Sequence, residues 1–216
     1  MRPLRSALAT ALRFGLGGRA GGVASQPVDA PELYEFESCP YCRKVREALV
    51  WFDLDVLVRP CPPGGTRFRP GRGPFPLLVD GGQEIRGSSV IVRHLAARAG
   101  RPVPWALRLG PLVNVTSGLA SAVLPRVRAR ASRPPERPLE LFADETSPAA
   151  RELRSLLCAL ELPYRWRTCG RGSATPLELA ARTGDATLPA LLDPNTGADL
   201  RGAAAAASHL SRAYAG

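Results

Sequence analysis

Ser38-Cys39-Pro40-Tyr41-Cys42 is the stretch whose reading decides the fold. Before it runs Leu33-Tyr34-Glu35-Phe36, a strand-like segment. After it Val45, Leu49 and Phe52 recur at helical spacing, with Ala48 beside Leu49. Proline suits the first turn of a helix, where its missing N–H has no intrahelical partner to lose. Cys39 therefore falls at a helix N-terminus, whose unpaired amides and dipole favour a thiolate over a thiol. Cys42 follows one turn later, within reach of a mixed disulfide formed on Cys39. Zinc needs two further Cys or His ligands. Cys61, Cys158 and Cys169 stand singly, and His94 and His209 are the only histidines, so no metal is expected. A structural disulfide closing so short a loop gains little. A thioredoxin-like redox motif is the reading that remains.

Outward from the motif, Pro31 to Gly100 reads as one unit. Asp55–Arg59 is a second strand, and a Pro/Gly/Arg loop covers Pro60 to Pro74. Phe75–Val79 is a third strand, Asp80-Gly81-Gly82 a hairpin turn, and Glu84–Arg86 the return. Gly87-Ser88-Ser89 is expected to cap a helix carrying Val90, Ile91, Leu95 and Ala96. The same order recurs 108 positions on, with Leu33 falling on Leu141. Pro40 meets Pro148, Arg43 meets Arg151, Arg46 meets Arg154, Leu49 meets Leu157 and Cys61 meets Cys169. With small gaps, Phe75-Pro76 meets Leu188-Pro189, Asp80 meets Asp193, and His94-Leu95 meets His209-Leu210. The second copy has room for one more helix, Pro176 to Arg182, capped by Thr175.

This gives a basic helix and linker over 1–30, a domain over 31–100, a linker with a short helix over 101–137, and a second domain over 138–216. The fold class is α/β, two tandem thioredoxin-like domains, each a four-stranded mixed sheet flanked by helices. The copies differ in chemistry. Cys39-Pro40-Tyr41-Cys42 becomes Ser147-Pro148-Ala149-Ala150, and Ser88-Ser89 becomes Ala203-Ala204. The second copy is expected to fold without carrying thiol chemistry.

The net charge of +10 and pI near 10.4 do not make this a nucleic-acid binder. Its basic residues are arginines apart from Lys44, spread along the chain, with no basic block interleaved with aromatics. Hydrophobic content of 45% permits a packed core. Five cysteines without a signal-peptide pattern suit a soluble protein of a reducing intracellular compartment, the bacterial cytoplasm or alternatively a plastid. Met1 to Val28 could be a transit peptide taken alone. Its Ser6–Ala11 run, however, is echoed by Ser117–Ala122, and each leads through an Arg-rich stretch to a strand, which favours a retained helix and linker. No apolar run is long enough to span a bilayer.

Residues Tyr34 to Arg46, with Phe75-Pro76 and Gly87-Ser88-Ser89-Val90-Ile91-Val92, resemble a glutaredoxin and equally a glutathione S-transferase N-terminal domain. Two copies, each after a basic helix, resemble tandem thioredoxin-family proteins of plastids and bacteria. The resemblance implies a glutathione-linked thiol–disulfide oxidoreductase with Cys39 as nucleophile and Cys42 as resolving thiol, and glutathione as co-substrate. Pro76 and Pro189 would be cis-prolines. Tyr41, Phe75 and Pro76 would shape the glutathione groove, while Ser88 and Ser89 would bind the γ-glutamyl carboxylate at a helix start. The partners implied are glutathione, disulfide or mixed-disulfide substrates and a possible protein partner, without nucleic acid. Alternatives are glutathione conjugation to an electrophile, a redox-sensing or protein-binding module, and an iron–sulfur carrier. The sequence departs from the pattern in three places, the first being Gly87, which stands where transferases often carry an acidic residue before the serine. Glu35 and Glu37 stand where glutaredoxins carry a basic residue, which opposes activation of Cys39 by the helix end and by Arg43 and Lys44. The glycyl carboxylate lacks a Lys, for which Arg67, Arg69 or Arg72 would substitute.

Overall fold

The computed structural model describes residues 17–23, 26, 29–68, 70–71, 73–108 and 127–216. The first half holds β1 (Glu32–Glu35), α1 (Pro40–Phe52), β2 (Val56–Pro60), β3 (Leu77–Asp80), β4 (Gln83–Arg86) and α2 (Ser88–Arg98), with a short α3 (Trp105–Arg108) after it. The second holds β5 (Leu139–Ala143), α4 (Pro148–Ala159), β6 (Tyr164–Thr168), α5 (Thr175–Thr183), β7 (Ala190–Asp193), β8 (Ala198–Arg201) and α6 (Ala203–Tyr214). The echoed Ser6–Ala11 and Ser117–Ala122 segments lie outside the described residues.

The expected pair of four-stranded sheets is corrected by a single sheet of eight strands, in the order β4-β3-β1-β2-β6-β5-β7-β8. Within each half the first two strands run parallel and the hairpin antiparallel. The join is antiparallel, with Val56 opposite Trp166 and Val58 opposite Tyr164. Sequence periodicity defines which residues face a core but not what an open strand edge pairs with, so the join was not visible in it. One face of the seam, formed by Val56, Val58, Tyr164 and Trp166, is buried, and one core cluster runs across it from Leu33, Leu49 and Leu95 to Leu141, Leu157, Trp166 and Leu210.

The two long motif helices begin alike. Cys39 and Ser147 are N-caps in extended conformation, each followed by proline. They also end alike, since Asp53 (φ 56°) and Glu161 (φ 48°) take the left-handed conformation one repeat apart. The Gly81-Gly82 hairpin turn has positive φ at both residues, as a tight two-residue turn between twisted strands requires. Two capping expectations are corrected: α2 has Gly87 and α5 has Ala174 at the N-cap, without a side-chain cap bond. In both helices the hydroxyl residue sits one place further in, at the first helical position. On the opposite face of the sheet, Leu179 of α5 packs on Phe142, Cys169 and Ala190.

Each half is also held by a strap leading to the other. Gly21 N donates to Trp51 O at the end of α1, and Ala20 N to Arg171 O in the second half. In mirror fashion Arg130 N donates to Ala159 O at the end of α4, and Ala129 N to Pro63 O in the first half. The Arg-rich stretches after the two echoed segments are thus built into the fold in equivalent ways.

A buried ion pair marks the seam. Asp55, just before β2, is inaccessible to solvent and lies against Arg167 of β6, with Arg165 Nε at 3.7 Å. Burial raises its carboxyl, the two arginines pull it only part of the way back, and it stands at about 6. A carboxyl raised above its unfolded value of 3.8 contributes stability that is present below that value and lost as pH rises through 6. Asp55→Asn removes this dependence, while Arg167 keeps Glu178 at 2.5 Å. Urea unfolding should show the variant gaining about 2 kcal/mol on the wild type between pH 4 and pH 7. An equal difference at both pH values would contradict the assignment.

Candidate functional site

The site stands at the carboxyl end of β1, where three segments converge. Cys39 N donates to Phe36 O at 3.0 Å, which folds the motif back onto the strand end. Cys39 Sγ accepts the amide of Cys42 at 3.4 Å, the bond an N-cap side chain makes to the first turn of its helix. Both cysteines are free thiols. Cys39 is 4% exposed and Cys42 fully buried, with Tyr41 between them half exposed. Their environments drive them apart. The hydrogen bond with Cys42 lowers the Cys39 thiol, outweighing burial and the Glu35 charge. Burial raises Cys42 well above an ordinary thiol, and the partner Cys39 adds to this. Two thiols one turn apart with opposed acidities can divide into an attacking thiolate and a reserve thiol.

Phe75-Pro76 closes the second side. Its peptide bond is cis, as is Leu188-Pro189 in the second half. The Phe75 ring meets Phe36 edge-on at 5.6 Å, tying the β3 approach to the residue that anchors Cys39. Beside it a pocket of 420 Å³ is lined by Cys61, Pro62, Phe68, Pro70 and Phe75. Cys61 is not part of the thiol pair. Its Sγ donates to Arg59 O at 3.3 Å and burial pushes it up to about 12. Cys169 donates to Arg167 O in the same way, so the pair is a repeated packing element.

The third side is the start of α2. Ser88 is buried at the first helical position, whereas Ser89 Oγ accepts a hydrogen bond from Lys44 Nζ at 2.8 Å. Lys44 therefore bridges α1 to α2. Arg67 was one candidate for a glycyl carboxylate, but its guanidinium donates to Leu160 O and Glu161 O of the second half and to Ser132 O of the linker. Arg69 and Arg72 lie outside the described residues. Glu35 and Glu37, read from the sequence as neighbours of the thiol, both turn into a buried network with Arg46 and Arg154. No group of three or more His, Cys, Asp or Glu among the described residues is arranged to hold a metal. None of the helices described is long and apolar enough to cross a membrane.

The second half repeats the frame without the chemistry. Ser147 Oγ accepts Ala150 N at 3.2 Å where Cys39 accepts Cys42 N. Its α6 begins at Ala203.

The family model of the glutathione S-transferase N-terminal domain matches this chain twice, over residues 33–103 and 141–216. The chain belongs to that family. No curated protein and no solved structure matches it. Each match to the glutathione S-transferase N-terminal domain covers one βαβ-ββα unit. The second match reaches through α5, the helix that the first unit replaces by its Pro/Gly loop. Membership points to a glutathione-related, thioredoxin-like function, and only the first unit carries the Cys39–Cys42 pair.

Proposed function

We propose that the chain is a glutathione-linked thiol–disulfide oxidoreductase that works through Cys39. The observation that carries this reading is the Cys39 thiol capping α1 and accepting the Cys42 amide, one turn ahead of a second free thiol. A thiolate at Cys39 attacks the glutathionyl sulfur of a mixed disulfide. The Cys39–glutathione disulfide forms, and the substrate thiolate leaves and takes a proton from water. A second glutathione thiolate then attacks the glutathionyl sulfur, releasing oxidised glutathione and restoring Cys39. Alternatively the Cys42 thiol, on losing its proton, attacks the Cys39 sulfur and expels the bound glutathione as its thiolate, leaving an internal disulfide that two glutathiones reduce as they become oxidised glutathione. In this reading the main chain at Phe75-Pro76 aligns the cysteinyl part of glutathione, Tyr41 borders the groove, and Ser88 takes the γ-glutamyl carboxylate. Ser89 contributes by holding Lys44 at the α2 start. Conjugation to an electrophile fits less well, because the first unit joins edge to edge with a second sheet unit rather than with a helical domain.

The decisive assay is glutathione-dependent reduction of a glutathionylated peptide by the purified chain. Turnover should follow the concentration of enzyme. If the rate equals the uncatalysed exchange across pH 6–9, the reading is wrong.

A further inference from the structure

Four arginines and four glutamates are buried together where the halves meet: Glu35, Glu37, Arg43, Arg46 and Glu47 of the first, and Glu145, Arg151 and Arg154 of the second. None is more than 4% exposed. Two of the pairs are exchanged across the seam. Arg46 Nε reaches Glu145 Oε2 at 3.0 Å, and Arg154 Nε reaches Glu37 Oε2 at 3.2 Å. Arg154 also holds Glu145 at 2.8 Å, while Arg46 is bonded to Glu35 and to the Glu37 carbonyl. Arg43 pairs with Glu47 at 3.2 Å, and Arg151 donates to Glu145 O. Glu37 and Glu145 are repeat equivalents, as are Arg46 and Arg154. Glu35 and Glu47 break the symmetry, because their equivalents are Ala143 and Ser155. Both extra acids lie in the half that carries the Cys39–Cys42 motif, and Glu35 stands one residue before the Phe36 carbonyl that anchors Cys39.

We propose that Glu145 and Arg154 of the second half are positioning residues for the Cys39 thiol of the first, setting through Arg46 how much of the Glu35 charge that thiol meets. This deepens the oxidoreductase reading and rests on it for its biological meaning. Arg46 is shared between Glu35 and Glu145, so any change in what Glu145 demands alters what Glu35 receives. Desolvation raises Glu35 to about 7, with Arg46 and Arg154 opposing and Glu37 and Glu145 adding to the rise. Glu145, which burial alone would raise, is brought down to about 2 by Arg154 and Arg46. Glu35 in turn bears on Cys39, Cys42 and Cys61, and on Cys158 of α4 and Tyr164 of β6. The half without the Cys-x-x-Cys motif thereby contributes to the charge environment of the half that has it.

The test is the pH profile of Cys39 alkylation by iodoacetamide in the full chain, read on the Cys39 peptide by mass spectrometry. Removing a positive charge disfavours a nearby thiolate and removing a negative one favours it. Arg154→Met should move the midpoint up by about half a pH unit, roughly threefold slower alkylation below the midpoint, and Glu145→Gln should move it down by a similar amount. Arg154→Lys should stay near the wild type. Shifts of the same sign, unmoved midpoints, or a shift in Arg154→Lys as large as in Arg154→Met overturn the proposal. Circular dichroism checks folding. If Arg154→Met does not fold, Glu145→Gln decides alone, and an unmoved or raised midpoint, or its own failure to fold, counts against the proposal. Alkylation needs no disulfide substrate. Opposite shifts in a chain without reductase turnover would reject the oxidoreductase and keep the coupling, and turnover with unmoved midpoints would do the reverse.

Discussion

Cys39→Ser should reduce glutathione-dependent reductase activity to background, a loss on the order of a thousandfold or more, because the attacking atom is gone and the hydroxyl has no comparable acidity. Cys42→Ser should behave differently. A glutathionylated Cys39 can be released by a second glutathione, so deglutathionylation survives at a sizeable fraction of the wild-type rate, while reduction of substrates that need an internal disulfide is lost. The asymmetry follows from geometry. Only Cys39 occupies the helix N-cap, and Cys42 lies fully buried behind it. Steady-state rates with a glutathionylated peptide separate the outcomes. An equal loss in both variants would show an obligatory dithiol route, and full activity in Cys39→Ser would reject the nucleophile.

Glutathione should bind at one site, in the first half. The second half keeps a helix cap at Ser147 and a cis peptide at Pro189, but Ala149, Ala150, Ala203 and Ala204 replace an aromatic, a thiol and two hydroxyls. A hydrogen bond to a charged ligand group is worth roughly 1.5–3 kcal/mol, so losing two or three weakens binding by several powers of ten. Titration calorimetry should give a stoichiometry of one, and chemical-shift changes should centre on Cys39, Pro76 and Ser88. A second site of similar affinity, or perturbations around Ser147 and Pro189, would overturn the division between the halves.

Much of this architecture is legible in the sequence because it rests on local rules. The strand–CPYC–helix order follows from alternation, from Pro40 at a helix start and from the 3.6-residue spacing of Val45, Leu49 and Phe52. The repeat follows from gapless matches between Leu33 and Cys61, the first thirty or so positions of the unit. Strand limits moved by a residue or two, since Asp55 turned toward the seam and the third strand begins only at Leu77. What stayed hidden depends on pairing between distant segments. The β2–β6 join needs a partner edge, which no local pattern names. Glu35 and Glu37 were legible as acids beside the motif, but their burial with Arg46 and Arg154 was not. The one available signal was that the 108-residue shift lays Glu37 on Glu145 as well as Arg46 on Arg154. Acid and base matching together is the mark of ion pairs exchanged about a twofold axis. Ser89 shows the same limit: a hydroxyl at a helix start reads as a ligand group until Lys44 is found bonded to it.

The join of β2 to β6 has a consequence for what the second half protects. A strand whose N–H and C=O groups face outward is a template for any other extended chain, and a flat apolar one invites aggregation. In the first half alone β2 would be such an outer rim, with Val56 and Val58 buried and Leu57 and Arg59 half-covered along it. In the whole chain that rim is consumed by β6, and the outermost strands become β4 and β8, four residues each, with Glu84, Arg86, Asp199 and Arg201 along them. The half without the Cys-x-x-Cys motif thus keeps a task that its strand backbone performs, whatever stands at Ser147 and Ala150 in place of the two motif cysteines.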